Sequence, residues 1–280
     1  MTTKLRIENL TLGIKTEDGI TPILHGVNLK IEAGQVQGLA GESGSGKTMT
    51  GLTIMGLEPH NAVISGSVWY DDTDLLQITG KALNAVRGSM VGMVFQDPST
   101  SLHPQLTIGA QLTDHVRYHL KISRQEARER AVESLSRVGI MGGQSALLRY
   151  PHEFSGGQRQ RIAIAIALAC DPQVLIADEV TTALDVTVQA GVLALIRSLA
   201  DSLGLAVLFI THDLGVMSAI ADRVAVMRHG EVVEDGARDQ VFLDPQHEYT
   251  RSLLSSLPGA AGGLQTRQDL VRLSGLADDE

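Results

Sequence analysis

The sequence predicts an α/β protein on a mostly parallel sheet core, with an antiparallel β part at the N-terminus and a helical insert. Three observations carry this reading. The stretch GESGSGKT, residues 41–48, lies between the apolar run QVQGLA and the helix-like MTGLTIMGL, so a strand hands over to a helix there. Beyond Pro151 the runs QVLIAD, LAVLFI and DRVAVM alternate with helical stretches, and near-continuous apolar strands between helices mark a parallel sheet. Between them, Thr107 to about Arg137 reads as helical, with Ser123 and Glu126 spaced as a capping box.

In chain order, LRIENLTL, ILHGVNLKI after the turn signal EDG, and QVQGLA read as strands, followed by a helix from about Gly46 to Leu57. GSVWY and MVGMVF are further strands, residues 97–155 form the helical insert, and GGQRQRIAIAIALA resumes the helical period. The final stretch, PGAAGGLQTRQDLVRLSGLADDE, begins rich in Gly and Ala and ends acidic, so 258–280 is expected to be a flexible tail.

Composition excludes several classes. With 280 residues and 43% hydrophobic content the chain can bury a large core. A formal net charge of −9 opposes nucleic-acid binding, which needs a basic footprint. The single Cys170 excludes an internal disulfide framework and points to a reducing cytosol. MTTKLRIENL has no apolar signal core, and no apolar run is expected to reach the roughly 18 residues of a membrane-spanning helix. A membrane role would then go through a partner.

The loop at 41–48 has the chemistry of a phosphate cradle. Gly41, Glu42, Ser43, Gly44, Ser45 and Gly46 are expected to bind the phosphates, because Gly41, Gly44 and Gly46 let backbone N–H groups turn inward on a ring that side chains would crowd, and the following helix adds its positive end. Lys47 supplies a point charge for β- and γ-phosphates, and the Thr48 hydroxyl can ligate Mg²⁺. A chance Gly-rich turn seldom combines this spacing with a strand before it and a helix after it.

Far downstream, QVLIADEV carries Asp178 and Glu179 to a strand end, the usual ligand edge of a parallel sheet. Asp178 would hold Mg²⁺ through water, and Glu179 would orient and deprotonate the water that attacks the γ-phosphate. Taken alone, the pair could equally be acidic residues favoured at a helix N-terminus. FSGGQRQR, residues 154–161, is a second candidate anion site, with Ser155, Gly156, Gly157 and Gln158 opening an apolar helix. By itself it reads more simply as an N-cap with flexible glycines.

The order of the pieces decides between these readings: GESGSGKT, Gln96 after MVGMVF, FSGGQ, VLIADE, TALD at 182–185, and His212 after LAVLFIT. From about residue 4 to 257 the chain resembles an ABC transporter ATPase subunit. The resemblance implies a P-loop NTPase core of the RecA-like kind over 1–96 and 156–245, a helical subdomain at 97–155 and a C-terminal helical segment at 246–257. It further implies ATP and Mg²⁺ as ligands and a head-to-tail dimer, in which each ATP lies between one phosphate loop and the other subunit's SGGQ helix. Gln96 would sense Mg²⁺ and the attacking water, His212 would contact the γ-phosphate, and Asp185 would reach the opposite site. Outside that context, Gln96 would be a solvated side chain, His212 an N-terminal hydrogen-bonder and Asp185 a cap for the helix near Val186.

QDPSTSLHPQLTIGAQL, YPHEFSGGQRQR and HEYTRSLLSSLP are similar to the dipeptide and oligopeptide importer type, which shares much with nickel importers. That resemblance implies two transmembrane permease subunits docking near Asp97 to Leu112, a second ATPase subunit that is a related chain or another copy, an extracytoplasmic solute-binding protein acting indirectly, and a place on the cytoplasmic face of the membrane. The alternative is an ATPase of a soluble enzyme complex such as a phosphonate-degrading assembly. A DNA-repair ATPase would want coiled-coil or zinc insertions that this sequence lacks. Three positions depart from the pattern: Ile14 stands where an aromatic residue usually stacks on adenine, Val180 replaces the Pro after the acidic pair, and Thr48 replaces a commoner Ser. Some relatives carry a cysteine-rich C-terminal extension; 258–280 has no cysteine, so no iron–sulfur cluster is expected.

Overall fold

The structure is a computed structural model that describes residues 2–97, 101–182 and 184–256. It divides into two compact units, one joining the residues up to Thr79 with those from Leu199 onward, the other spanning Gly80–Ser198.

The first unit opens with β1 (Thr3–Thr16) and β2 (Gly19–Glu32), an antiparallel hairpin closed across Thr16 and Gly19. These strands are 14 residues each, longer than the expected short pieces, because β-bulges carry the alternation of buried Leu5, Ile7, Leu10 and Leu12 past the irregularity near Asn9. Asn9 takes φ 50°, and its N–H donates to Asn28 Oδ1 at 3.0 Å. Next come β3 (Val36–Ala40), buried throughout, and α1 (Lys47–Ile54). β4 (Ala62–Tyr70) pairs with the free edge of β1, and β5 (Thr73–Asp74) completes an antiparallel sheet ordered β2-β1-β4-β5.

The second unit contains α2 (Gly80–Val86), β6 (Val91–Val94), α3 (Ile108–Leu120), α4 (Arg124–Arg137), α5 (Gln144–Leu147), a single tight turn at Pro151–Glu153, α6 (Gly156–Leu168) and β7 (Val174–Asp178). β6 and β7 are parallel, from Val91 opposite Val174 to Val94 opposite Ala177. The Ser123–Glu126 capping box is present in both directions, so α4 starts where the sequence placed it. The short α2, with Gly at its first position, went unread because it offers too little periodicity.

One sequence expectation is corrected. α7 (Val186–Leu203) is 18 residues long with mean hydropathy 1.3, enough in length and composition to cross a membrane. Its buried Val192, Leu193, Ile196, Leu199 and Ala200 recur at helical spacing, and Arg197 and Asp201 interrupt the run, the pattern of a helix packed along one face.

The chain then returns to the first unit as β8 (Ala206–Ile210), α8 (Leu214–Ile220), β9 (Arg223–Arg228), β10 (Glu231–Ala237), α9 (Arg238–Leu243) and α10 (Glu248–Ser255). β3 lies between β8 and β9 and runs parallel to both, while β10 returns antiparallel beside β9. This places the C-terminal end of β3, where the phosphate loop begins, at the middle of these strands. The expected tail at 258–280 lies outside the described residues.

Candidate nucleotide-binding site

The loop between β3 and α1 is shaped by its glycines. Gly41 takes φ 148°, and a Cβ there would lie 2.1 Å from the Met227 carbonyl oxygen. Gly46, at φ 106°, leads into α1 where a Cβ would sit 2.8 Å from Leu24 Cδ2. Gly44, at φ 79°, has no atom within 4 Å of its missing Cβ. Two glycines are thus held against the protein and one faces open space, the arrangement a bound phosphate requires.

Lys47 is only 4% exposed, yet its ammonium lies across the loop, donating to the carbonyls of Gly41 and Glu42 at 2.8 Å each. Ser45 Oγ is 3.4 Å away. The cation therefore sits among acceptors that phosphate oxygens can replace. Glu42, Ser43 and Thr48 are exposed and Ser45 is buried. Two ties anchor the loop from outside: Gly230 N–H donates to the Ser45 carbonyl at 2.9 Å, and Glu42 N–H donates to the Tyr249 hydroxyl at 3.3 Å. In the same unit His212 is exposed just after β8, next to Asp213, which caps α8 through Val216 N–H. Ile14 is half-buried in β1, opposite Thr21 and Ala62.

In the second unit β7 brings Asp178, 3% exposed, and Glu179 to its C-terminal end. Glu179 adopts φ 47°, a left-handed conformation uncommon for a side-chain-bearing residue. Its Oε2 accepts from Gln96 Nε2 at 2.8 Å and from Thr182 Oγ1 at 3.3 Å. Val180, in place of the usual Pro, is buried. Asp185 Oδ1 accepts from Val188 N–H at 2.9 Å and so caps the start of α7. That is the structural role the sequence offered beside the functional one.

At α6, Ser155 and Gln158 form a full capping box, each side chain bound to the other's backbone N–H. The adjoining glycines are not equivalent. Gly156 is exposed with nothing near its missing Cβ, whereas a Cβ on Gly157 would meet Val188 Cγ1 at 2.3 Å. Arg161, one turn on, donates to the carbonyls of Val138 and Gly191 and fixes the helix between its neighbours. Ser155 and Gly156 present an exposed helix start, while Gly157 is needed for packing.

The family description "ABC transporter" matches residues 24–182. The chain belongs to the ABC transporter family. Like other ABC ATPases, this chain binds and hydrolyses ATP, as a transporter subunit associated with membrane permeases. It is 45% identical over 260 residues to the oligopeptide transport ATP-binding protein OppD of Bacillus subtilis, covering 92% of this chain and 73% of that protein. The oligopeptide transport ATP-binding protein AppD of the same organism is 47% identical over 92% of this chain and 79% of its own length. For the dipeptide transport ATP-binding protein DppD the identity is 44%, over 91% and 76%. Among solved structures, the dimeric post-hydrolysis state of the ATP-binding cassette MJ0796 bound to ADP and Pi matches with TM-score 0.73 and 30% identity, over 84% of this chain and 98% of that one. The cbiO1 protein of Clostridium perfringens, part of the ABC transporter complex cbiONQ, matches with TM-score 0.74 and 30% identity, over 92% and 97%. The fold is that of the P-loop NTPases, as the ABC ATPase's sequence implied.

Two further side chains touch the candidate residues of this ABC ATPase, one within each unit. Thr182 opens the quoted TALD, and its hydroxyl joins Gln96 on Glu179. Tyr249, part of the importer-type HEYT, reaches the phosphate loop. The Thr182 contact is local, three positions from Glu179, whereas the Tyr249 contact spans 207 positions and has no local signal.

Proposed function

We propose that this chain is the ATP-hydrolysing motor subunit of a peptide importer, working at the cytoplasmic face of the membrane with two permease subunits, a second ATPase subunit and, indirectly, an extracytoplasmic solute-binding protein. The observation that carries this reading is the 44–47% identity over more than nine-tenths of the chain to oligopeptide and dipeptide transport ATP-binding proteins. A soluble phosphonate-degrading assembly gains no support from those relatives. The proposed division is an ABC ATPase domain at 1–257, with core 1–96 and 156–245, helical subdomain 97–155 and C-terminal segment 246–257.

Each proposed role follows from local chemistry. The N–H groups of 43–48 and the Lys47 ammonium bind the β- and γ-phosphates, a use supported by the open face at Gly44. Ile14 packs against the base without an aromatic face. Mg²⁺, when bound, neutralises phosphate charge; Thr48, Gln96 and the buried carboxylate of Asp178 are the groups of this chain that suit it. Glu179 accepts the proton of the attacking water, and Gln96 and Thr182 orient its carboxylate. His212 contacts the γ-phosphate. Ser155, Gly156, Gly157 and Gln158 offer the exposed helix start to ATP held by a second subunit, with Asp185 reaching across.

The test is uptake of a radiolabelled di- or tripeptide by cells whose only copy of this chain is wild type or Lys47→Ala. Uptake by the wild type and its loss in the variant are expected. Equal peptide uptake in cells lacking the chain would overturn the importer reading.

A further inference from the structure

We propose that Tyr249 is a positioning residue for nucleotide binding, its hydroxyl holding the stem of the phosphate loop in the conformation that receives ATP. The inference rests on the cradle role proposed for residues 41–48.

The argument begins with one peptide bond. The carbonyl of Gly41 and the N–H of Glu42 belong to the same rigid plane and point in opposite directions. Lys47 Nζ donates to that carbonyl at 2.8 Å, and the Tyr249 hydroxyl accepts from that N–H at 3.3 Å. The plane is thus gripped at both ends. When phosphate oxygens draw the ammonium away, the Lys47 grip weakens and the Tyr249 grip remains. The plane is also where Gly41 turns at φ 148° against the Met227 carbonyl, so its orientation sets the direction of every N–H that follows.

Tyr249 is well placed for this task. It is 7% exposed on α10, an amphipathic helix whose start is fixed to β10: Glu234 accepts from the N–H of Gln246 at 2.8 Å and of His247 at 3.1 Å. His247 Nδ1 in turn accepts from Tyr249 N–H at 3.1 Å. The Arg228 guanidinium lies 4.7 Å from the ring centroid and holds the ring's face. Arg228 ends β9, and the turn beyond it supplies Gly230, whose N–H makes the second external tie at Ser45. Both ties on the loop therefore come from one support, the β9–β10 turn and the helix pinned beside it. Burial, joined by the Glu42 carboxylate and opposed by the Glu42 amide and the Arg228 guanidinium, raises the phenol's pKa, so the hydroxyl remains protonated throughout the physiological range.

The experiment compares Mg²⁺–ATP affinity and the melting temperature of the nucleotide-free full chain in wild type, Tyr249→Phe, Leu254→Ala and Lys47→Ala. Tyr249→Phe keeps the ring and removes the hydroxyl, the acceptor for the Glu42 N–H and a donor to the Glu42 carboxylate, so ATP affinity should fall by about three- to tenfold, on the order of one net hydrogen bond, with melting almost unchanged. Leu254→Ala loosens the same helix without touching the hydroxyl, and should lower melting with affinity retained. Unchanged affinity in Tyr249→Phe would overturn the proposal, as would an equal loss in Leu254→Ala, which would make the effect one of helix stability. Lys47→Ala reports on the cradle itself: undiminished binding there would sink the underlying reading, whereas lost binding there with normal Tyr249→Phe would reject only the role of Tyr249.

Discussion

Gln96 Nε2 donates to Glu179 Oε2 across 2.8 Å, joining a residue just after β6 to the residue that follows β7. The two are 83 positions apart, and the parallel pairing of β6 with β7 is what makes them neighbours. Thr182 adds a second donor to the same oxygen at 3.3 Å. Glu179 holds φ 47°, a conformation that costs about 1–3 kcal/mol and persists only where its surroundings fix it. A strained backbone that aims a carboxylate held by two donors fits a base whose direction matters.

Replacing Glu179 with Gln preserves size and the capacity to accept from Gln96, but removes the basic oxygen. ATP binding should persist, while phosphate release falls by about 10² or more. Near-normal release from a variant that still binds ATP would remove Glu179 from the role.

The two glycines of the α6 start should separate under mutation. Gly157→Ala forces a methyl into the space of Val188 Cγ1, 2.3 Å away, and should destabilise the chain by about 1–3 kcal/mol. Gly156→Ala meets no atom within 4 Å, so melting should hold while ATP-driven dimerisation weakens. Thermal denaturation and size-exclusion chromatography with ATP distinguish them; equal melting of the two variants would contradict the packing argument.

His115 and His119 on α3 lie with ring centroids 4.8 Å apart. Burial, then the neighbouring His119, lowers the His115 pKa to about 4, whereas the unfolded chain titrates near 6.5. The folded state favours neutral imidazole, so this stability is fully present above about pH 6.5 and is lost as pH falls toward about 4, because only the unfolded chain takes up the proton. Melting should drop between pH 7 and pH 5, and the drop should be smaller in His115→Gln. An identical drop in the variant would show that other groups control the acid limb.

Much of this could be read from the sequence because the signals are local. Gly41, Gly44, Gly46 and Lys47 lie within eight residues, and the apolar runs of β7, β8 and β9 declare themselves by composition. The Ser123–Glu126 capping box is a local four-residue pattern and forms as expected, while Ser155, expected as an N-cap, forms a full box with Gln158. What could not be read depends on tertiary approach. No spacing rule separates Gly156 from Gly157, since the difference is the position of Val188. Nor does one join Tyr249 to Glu42. The 18-residue α7 reaches a mean hydropathy of 1.3 even though Arg197 and Asp201 interrupt its apolar residues, because an average over the window tolerates two charges that an unbroken apolar run does not. The role of Asp185 stayed divided for the same reason: its cap on Val188 is a local contact, and a reach across a dimer is not.

Cys170 lies between the end of α6 and β7, 6% exposed. Its thiol is pushed up to about 11, first by burial and further by Asp171, against the lowering influence of Arg130. A thiol so protonated is a poor nucleophile and a poor metal ligand, and a cubane cluster would need about four thiolates where this sequence has one cysteine. Purified protein should therefore be colourless, hydrolyse ATP without iron, and react slowly with iodoacetamide until unfolded. Cys170→Ala removes a small buried hydrophobe and should lower stability by about 1 kcal/mol with ATPase activity retained. Rapid alkylation of the native chain would refute the protonated, buried thiol. A broad absorption near 400 nm with stoichiometric iron and sulfide, in protein purified without air, would show that the chain holds a cluster after all.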